Sequence, residues 1–331
     1  MSTVIPVIVF ELQLYANPYP VLVSLVYLQL PASGEGMDVV LRYADKSVLT
    51  PYVYPDTWPE DDPIRQVISL LLVTNIGGYL LYLSTATISY LFIFDKRLMD
   101  HQQFLENQVK LEILYTLKSV PLMSLPTVLL FFLEVRGHSK LYDDVGTSKL
   151  SWLFVLTSVA TFILFTDMCI YWIHRFLHHR SIYKYIHKDH HRWKVPTPYA
   201  SHAFHPLDGF LQSCPYHIYV FLFPLHKYTY LALFVFVNIW TVSIHDGDYR
   251  VPQILKPVVN GSAHHTDHHL FYSYNYGQFF TLWDRIGGSF RNPSAFEGKG
   301  LLEEMLKAQA SKGPQTNGHA SNGIVKNGKM E

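Results

Sequence analysis

Residues 66–94 contain no charged side chain. That single fact excludes most soluble architectures, because a surface helix of such length would show a charged face opposite its apolar stripe. A bilayer core asks for about 20 consecutive apolar residues in a helix, so the run predicts a spanning helix with some tilt. Composition supports this reading. The chain has 331 residues, 49% of them hydrophobic and 16% charged, against about 25% charged in an average soluble chain. Aromatic residues reach 15%, and Tyr and Trp favour the membrane interface. The 26 basic and 26 acidic residues cancel, which argues against a nucleic-acid partner. Cys169 and Cys214 lie in apolar runs and have the spacing of neither a disulfide framework nor a thiolate metal site.

The rest of the chain is placed around that span. Residues 1–36 lack any lysine or arginine and include Pro6, Pro18, Pro20 and Pro31. They lack the positive start of a signal peptide and read as an N-terminal extension. Residues 51–64, rich in proline and acid, predict an ordered interfacial loop. Residues 95–118 carry Lys96, Arg97, Lys110 and Lys118 and are expected to lie along the membrane surface. Residues 119–133 are apolar but short and hold Pro121 and Pro126, which suggests a kinked span or half of a hairpin. A further run, 150–166, continues past Asp167 to His174. Two more, 209–225 and 228–244, are split only by His226 and Lys227 and predict a hairpin. The tail, residues 301–331, is rich in Gly, Ser, Asn and Lys and is expected to be disordered.

The 18 histidines are clustered. One box, HRFLHH, supplies His174, His178 and His179; a second, HKDHH, supplies His187, His190 and His191; a third, HHTDHH, supplies His265, His268 and His269, with His264 beside them. On a helix, positions three and four apart share a face, so each box can present several imidazoles together. Neutral imidazole is the commonest side-chain metal ligand and suits iron, zinc, copper and nickel. A solvated cluster binding acidic headgroups is the bland alternative. So many imidazoles exceed the four that close a structural zinc site, and two metals are the natural count. His245, where a returning run meets the aqueous phase, is a further candidate ligand. Asp167, seven residues before His174, is expected either to orient a ligand ring or to cap the span. His205 and His202 lie between boxes and are as well suited to structure or substrate contact as to metal. The basic residues from Arg175 to Lys194 place the first two boxes on the cytosolic side, and two crossings of the predicted hairpin return His245 and the third box to that face. The sequon at Asn260 then faces the cytosol and is expected to carry no glycan.

These readings define an all-α membrane protein with four or five transmembrane helices and a cytosolic, histidine-rich helical cap holding a dinuclear metal centre. An oxygen-activating di-iron site, a zinc-dependent lipid hydrolase and a histidine-rich metal transporter all remain compatible with the boxes, although a transporter wants polar groups within its spans.

The three boxes resemble those of the fatty acid hydroxylase and sterol desaturase superfamily of membrane di-iron proteins. Residues 170–209 and 260–290, with TPYVYPDTWPEDDPIRQ and SIHDGDYRVPQI, are similar to the sterol C-5 desaturases, over residues 37–300. The resemblance implies removal of two hydrogens from a Δ7-sterol (lathosterol) to give the C5–C6 double bond of 7-dehydrocholesterol. It implies two non-haem irons, dioxygen as co-substrate, and electrons from NAD(P)H delivered by cytochrome b5 and its reductase. It implies the endoplasmic reticulum membrane. Another sterol or lipid hydroxylase of the superfamily, such as a C-4 methyl oxidase, shares the boxes but not the flanking runs.

Overall fold

The structure, a computed structural model, describes residues 38–146 and 149–311. The N-terminal extension and residues 312–331 of the tail lie outside the described residues. The described residues are mostly helical, the main helices being α1 (Asp38–Ala44), α2 (Pro63–Phe92), α3 (Gln108–Val135), α4 (Lys149–Leu177), α5 (Pro206–Leu222), α6 (Lys227–Ser243), α7 (Ser262–Phe271) and α8 (Leu301–Ser311). Two residue pairs, β1 (Leu141–Tyr142) and β2 (Leu225–His226), form a short parallel ladder.

Among the described residues, α2, α3 and α4 are long and apolar enough to cross a membrane. Helices α5 and α6 have 17 residues each, about 26 Å of helix, and pack against α4 through Phe162, Tyr219, Tyr230 and Val237. The sequence led to an expectation of four or five spans; three helices meet the length requirement.

Helix α2 starts where its sequence says it should. The Asp62 carboxylate accepts from the backbone N–H of Ile64 and Arg65 at 2.9 and 3.0 Å, and Pro63 follows at the first helical position, an arrangement worth about 1 kcal/mol. Helix α3 departs from expectation. Residues 108–118 do not lie along the surface but continue into 119–135 as one helix, through both prolines. Proline removes a backbone donor and frees the carbonyl four residues earlier. The carbonyl freed by Pro121 belongs to Leu117, and the Tyr79 hydroxyl of α2 donates to it at 2.8 Å. A neighbouring helix thus repairs the break. An acid within this helix, Glu112, is buried and accepts from Gln108 Nε2 at 2.7 Å and from the Thr197 hydroxyl.

A second departure is α8. Residues 301–311 were expected to begin the disordered tail, yet they form a helix. Leu301 is buried in a cluster with Phe94, Leu98 and Val195, an apolar contact that no local composition reveals.

All box-bearing segments meet at one end of the helices. The end of α4 carries the first box, His205 caps the start of α5, and His245 follows α6. Gln108, at the start of α3, donates to the Val195 carbonyl at 2.8 Å. The opposite end is closed by the β1–β2 ladder, by the Lys227–Asp143 ion pair at 2.6 Å and by Arg136 donating to the Asp61 carbonyl at 3.3 Å.

Candidate metal centre

Nine buried or half-buried imidazoles form two groups. His174, His178, His187, His191 and His268 make one; His190, His245, His265 and His269 make the other; within each, the ligand atoms lie within 4.8 Å of one another. The groups touch, with the rings of His191 and His269 centred 4.8 Å apart.

The boxes do not act as units, as helical spacing alone suggested. His174 is in the last turn of α4 and His178 one turn beyond. The second box is broken by a single helical turn, Tyr183–Ile186, and a 3-10 turn, His190–Arg192, so His187 and His191 join the first group and His190 the second. Helix α7 wedges between the groups and serves both: His265 and His269, four apart, face one, and His268 faces the other.

Hydrogen bonds fix which nitrogen points inward. The His174 Nδ1–H donates to the Tyr276 carbonyl at 3.0 Å, that of His245 to Thr241 at 2.7 Å, and that of His268 to Tyr274 at 2.7 Å. The His187 Nδ1 meets the Asp208 carboxylate at 2.7 Å, both side chains being fully buried. In a neutral ring with Nδ1 protonated, Nε2 is a bare lone pair. Yet His174 Nε2 lies 3.1 Å from His187 Nε2, and His245 Nε2 3.0 Å from His265 Nε2, with His269 Nε2 at 3.1 Å from the latter. For His174 and His187, whose Nδ1–H groups are both engaged, lone pairs converging at that range repel unless a cation sits between them. Nitrogens bound at about 2.0–2.1 Å to one ion stand roughly 2.9–3.4 Å apart at right or tetrahedral angles, which is the spacing seen. Among the described residues, His268 Nε2 has no hydrogen-bond partner. The donor set therefore fits metal ions.

Electrostatics agree with uncharged rings. Burial, reinforced by neighbouring imidazoles, holds His190, His191, His265, His268 and His269 well below the ordinary histidine value. Burial lowers His245 to about 3. All are neutral near pH 7 and have lone pairs to give.

Five residues singled out in the sequence lie outside both groups, His202 among them, its Nε2 donating to Asn238 Oδ1 at 3.1 Å. His179 is exposed, its Nδ1 accepting from Ser181 N–H at 3.4 Å; adjacent helical positions point about 100° apart, so His178 turns in and His179 out. His264 is buried near Phe290 and Phe296, with neither ring nitrogen hydrogen-bonded. His205 caps α5, its Nδ1 accepting from Leu207 N–H at 3.2 Å. Asp167 meets no histidine: its Oδ1 accepts from Phe279 and Phe280 N–H at 2.7 and 3.2 Å. Two turns up α4 it is beside the loop after α7 rather than the rings. Asp208 is the residue that sequence reasoning missed. Its signal was an acid in the first turn of the helix begun by His205-Pro206, but no pattern said which imidazole it would meet.

A cavity of about 400 Å³ runs from His174, His190, His245 and His265 down between the spans, past Val120 and Phe234. Its size suits one lipid-sized molecule. Asn260, the sequon residue, is buried, and its amide donates to the Gly277 carbonyl at 2.6 Å, so the nitrogen a glycan would need is engaged.

Comparison with known proteins follows the same line. The fatty acid hydroxylase family model matches residues 159–289. The chain is 64% identical to lathosterol oxidase of Mus musculus, covering 87% of this chain and 95% of that protein. It is 62% identical to lathosterol oxidase of Homo sapiens, covering 89% and 97% respectively. This chain belongs to the lathosterol oxidase family. It is also 52% identical to a Delta(7)-sterol 5(6)-desaturase of Schizosaccharomyces pombe, covering 78% of this chain and 84% of that protein. No solved structure matches it.

The loop after α7 leaves no room for a side chain at Gly277. Asp284 accepts from Tyr276 and Gly277 N–H, both at 2.8 Å, and Asp167 holds the following residues. A Cβ on Gly277 would stand 2.5 Å from the Phe280 carbonyl oxygen and 2.8 Å from Asn260 Nδ2. Gly277→Ala is therefore expected to destabilise the fold by about 1–3 kcal/mol, read as a lower melting temperature in detergent. An unchanged melting temperature would mean that the loop yields without strain.

Proposed function

We propose that this chain is a membrane-bound lathosterol oxidase, a sterol C-5(6) desaturase within residues 37–300, acting in cholesterol biosynthesis. The observation that carries the reading is the pair of all-imidazole groups opening onto an apolar cavity between membrane-spanning helices, in a chain whose 62–64% identical relatives are lathosterol oxidases.

One hydrogen leaves C5 and one leaves C6 of the Δ7-sterol, and the electrons of the two C–H bonds provide the new double bond and two reducing equivalents. Two further electrons and two protons complete the reduction of dioxygen to two waters. Two non-haem irons held by the two groups supply the redox chemistry that unactivated C–H bonds demand and that zinc lacks. The protein does the rest. Asp208 and the carbonyls of Thr241, Tyr274 and Tyr276 set the ring orientations. The cavity walls exclude water and bring a rigid apolar sterol from the bilayer to the rings. The basic residues between the first two boxes mark the cytosolic face, from which cytochrome b5, reduced by NAD(P)H through its reductase, delivers electrons. The endoplasmic reticulum membrane is the compartment that fits this donor.

The test supplies lathosterol, NADH and oxygen to microsomes containing the protein, with iron measured in the purified chain. Expected are 7-dehydrocholesterol and about two irons per chain. A hydroxysterol in place of the diene, or zinc in place of iron, would overturn the assignment.

A further inference from the structure

The cavity lining is mostly apolar with scattered polar side chains, and one of these, Gln278, lies close to the rings. Gln278 lines the cavity together with Thr241 and Asn238. The polar groups of Asn238 and Thr241 beside it are spoken for. Asn238 Oδ1 accepts from His202 Nε2 at 3.1 Å, and Asn238 Nδ2 donates to the Phe234 carbonyl at 2.8 Å. The Thr241 hydroxyl donates to the Val237 carbonyl at 2.9 Å. Gln278 uses one amide hydrogen on the Thr241 hydroxyl, at 3.0 Å, and its Oε1 has no partner among the described residues.

Gln278 is also held with unusual care. Trp240 Nε1 donates to its backbone carbonyl at 2.7 Å. The residue before it is pinned by Asp284 and the residue after it by Asp167, each carboxylate accepting from backbone N–H. Two buried carboxylates and an indole fix the backbone at residues 277–279, and the Thr241 hydroxyl holds the Gln278 side chain at the cavity wall. Gln278 is half-buried at the cavity wall, and its Oε1 is left to accept from a donor on a bound molecule.

We infer that Gln278 binds the 3β-hydroxyl of the sterol, with the sterol O–H donating to Oε1, and so sets which sterols are accepted. The inference rests on the proposed desaturation of a Δ7-sterol. The distances are compatible. The hydroxyl oxygen is three bonds from C5, hence within about 4 Å of it, so its partner belongs near the rings and not deep in the membrane. Thr241, the anchor of Gln278, lies one helical turn, about 6 Å, from His245. Gripping this hydroxyl places C5 and C6 beneath the two groups and leaves the aliphatic tail to the apolar remainder of the cavity.

The experiment compares lathosterol with its 3-deoxy analogue, 5α-cholest-7-ene, as substrates of the parent, Gln278→Leu and Thr241→Val. A site built around a hydroxyl rejects the analogue that lacks it. The parent is expected to favour lathosterol by at least about 100-fold in kcat/KM. Gln278→Leu is expected to cut that preference to under about 10-fold, by losing activity on lathosterol and not on the analogue, with iron content unchanged. Thr241→Val, which only loosens the glutamine, should lose about 10-fold of the preference. A parent that does not desaturate lathosterol overturns the reading of function and this assignment with it. Turnover by the parent with an unchanged preference in Gln278→Leu overturns this assignment alone. If the leucine variant fails to accumulate, an unchanged preference in Thr241→Val overturns it.

Discussion

Replacing His268 by alanine is expected to abolish sterol turnover and to lower the iron bound per chain, whereas replacing His179 leaves both as they were. The two residues look alike in sequence, each next to another histidine in a box. In the structure, His268 is completely buried; its Nδ1–H is donated to Tyr274 and its Nε2 is aimed, without a partner, into the five-membered group. His179 is exposed, its ring accepting from the backbone N–H of Ser181. Alanine at 268 also removes the one imidazole by which α7 reaches that group. Product formation from lathosterol and iron per membrane-inserted chain are the two measurements. Full activity in His268→Ala, or its loss in His179→Ala, would show the ligand set to be wrong.

Asp208→Asn is expected to lose about 10- to 100-fold in turnover or iron affinity, the usual cost of removing the outer partner of a ligand histidine. The asparagine has nearly the same shape, so the effect comes from protons. Asp208 Oδ1 accepts from Gln212 Nε2 at 2.7 Å, while Oδ2 faces His187 Nδ1. If the asparagine keeps its oxygen toward Gln212, its NH2 group faces His187. The ring must then accept at Nδ1, which moves its own proton to Nε2 and blocks the atom that points at the group. Steady-state turnover and iron titration read the change. Values within twofold of the parent would mean that Asp208 has no part in setting the ring.

Much of this was legible in the sequence because it depends on local pattern. Charge-free runs declare spans, and the two apolar runs split by His226 and Lys227 foretold that His245 and the third box return to the first two. What was not legible depends on contacts between distant segments. The partition of the imidazoles follows from a 3-10 turn at His190–Arg192 that breaks the second box. The continuity of α3 through Pro121 depends on a hydroxyl from α2, and the order of residues 301–311 depends on a pocket made by Phe94, Leu98 and Val195. Asp167 was noticed for its spacing to His174, but it holds the loop that carries Gln278.

The distribution of ligands along the chain also dictates a timetable for biogenesis. When the ribosome has made everything through α4 and the second box, the first group still lacks His268, and the second has only His190. Neither set can close until residue 269 has emerged, after every membrane-spanning helix has been synthesised. Metal held by both groups would therefore be loaded only after α7 has emerged, and a chain truncated before α7 would lack three of the nine grouped imidazoles.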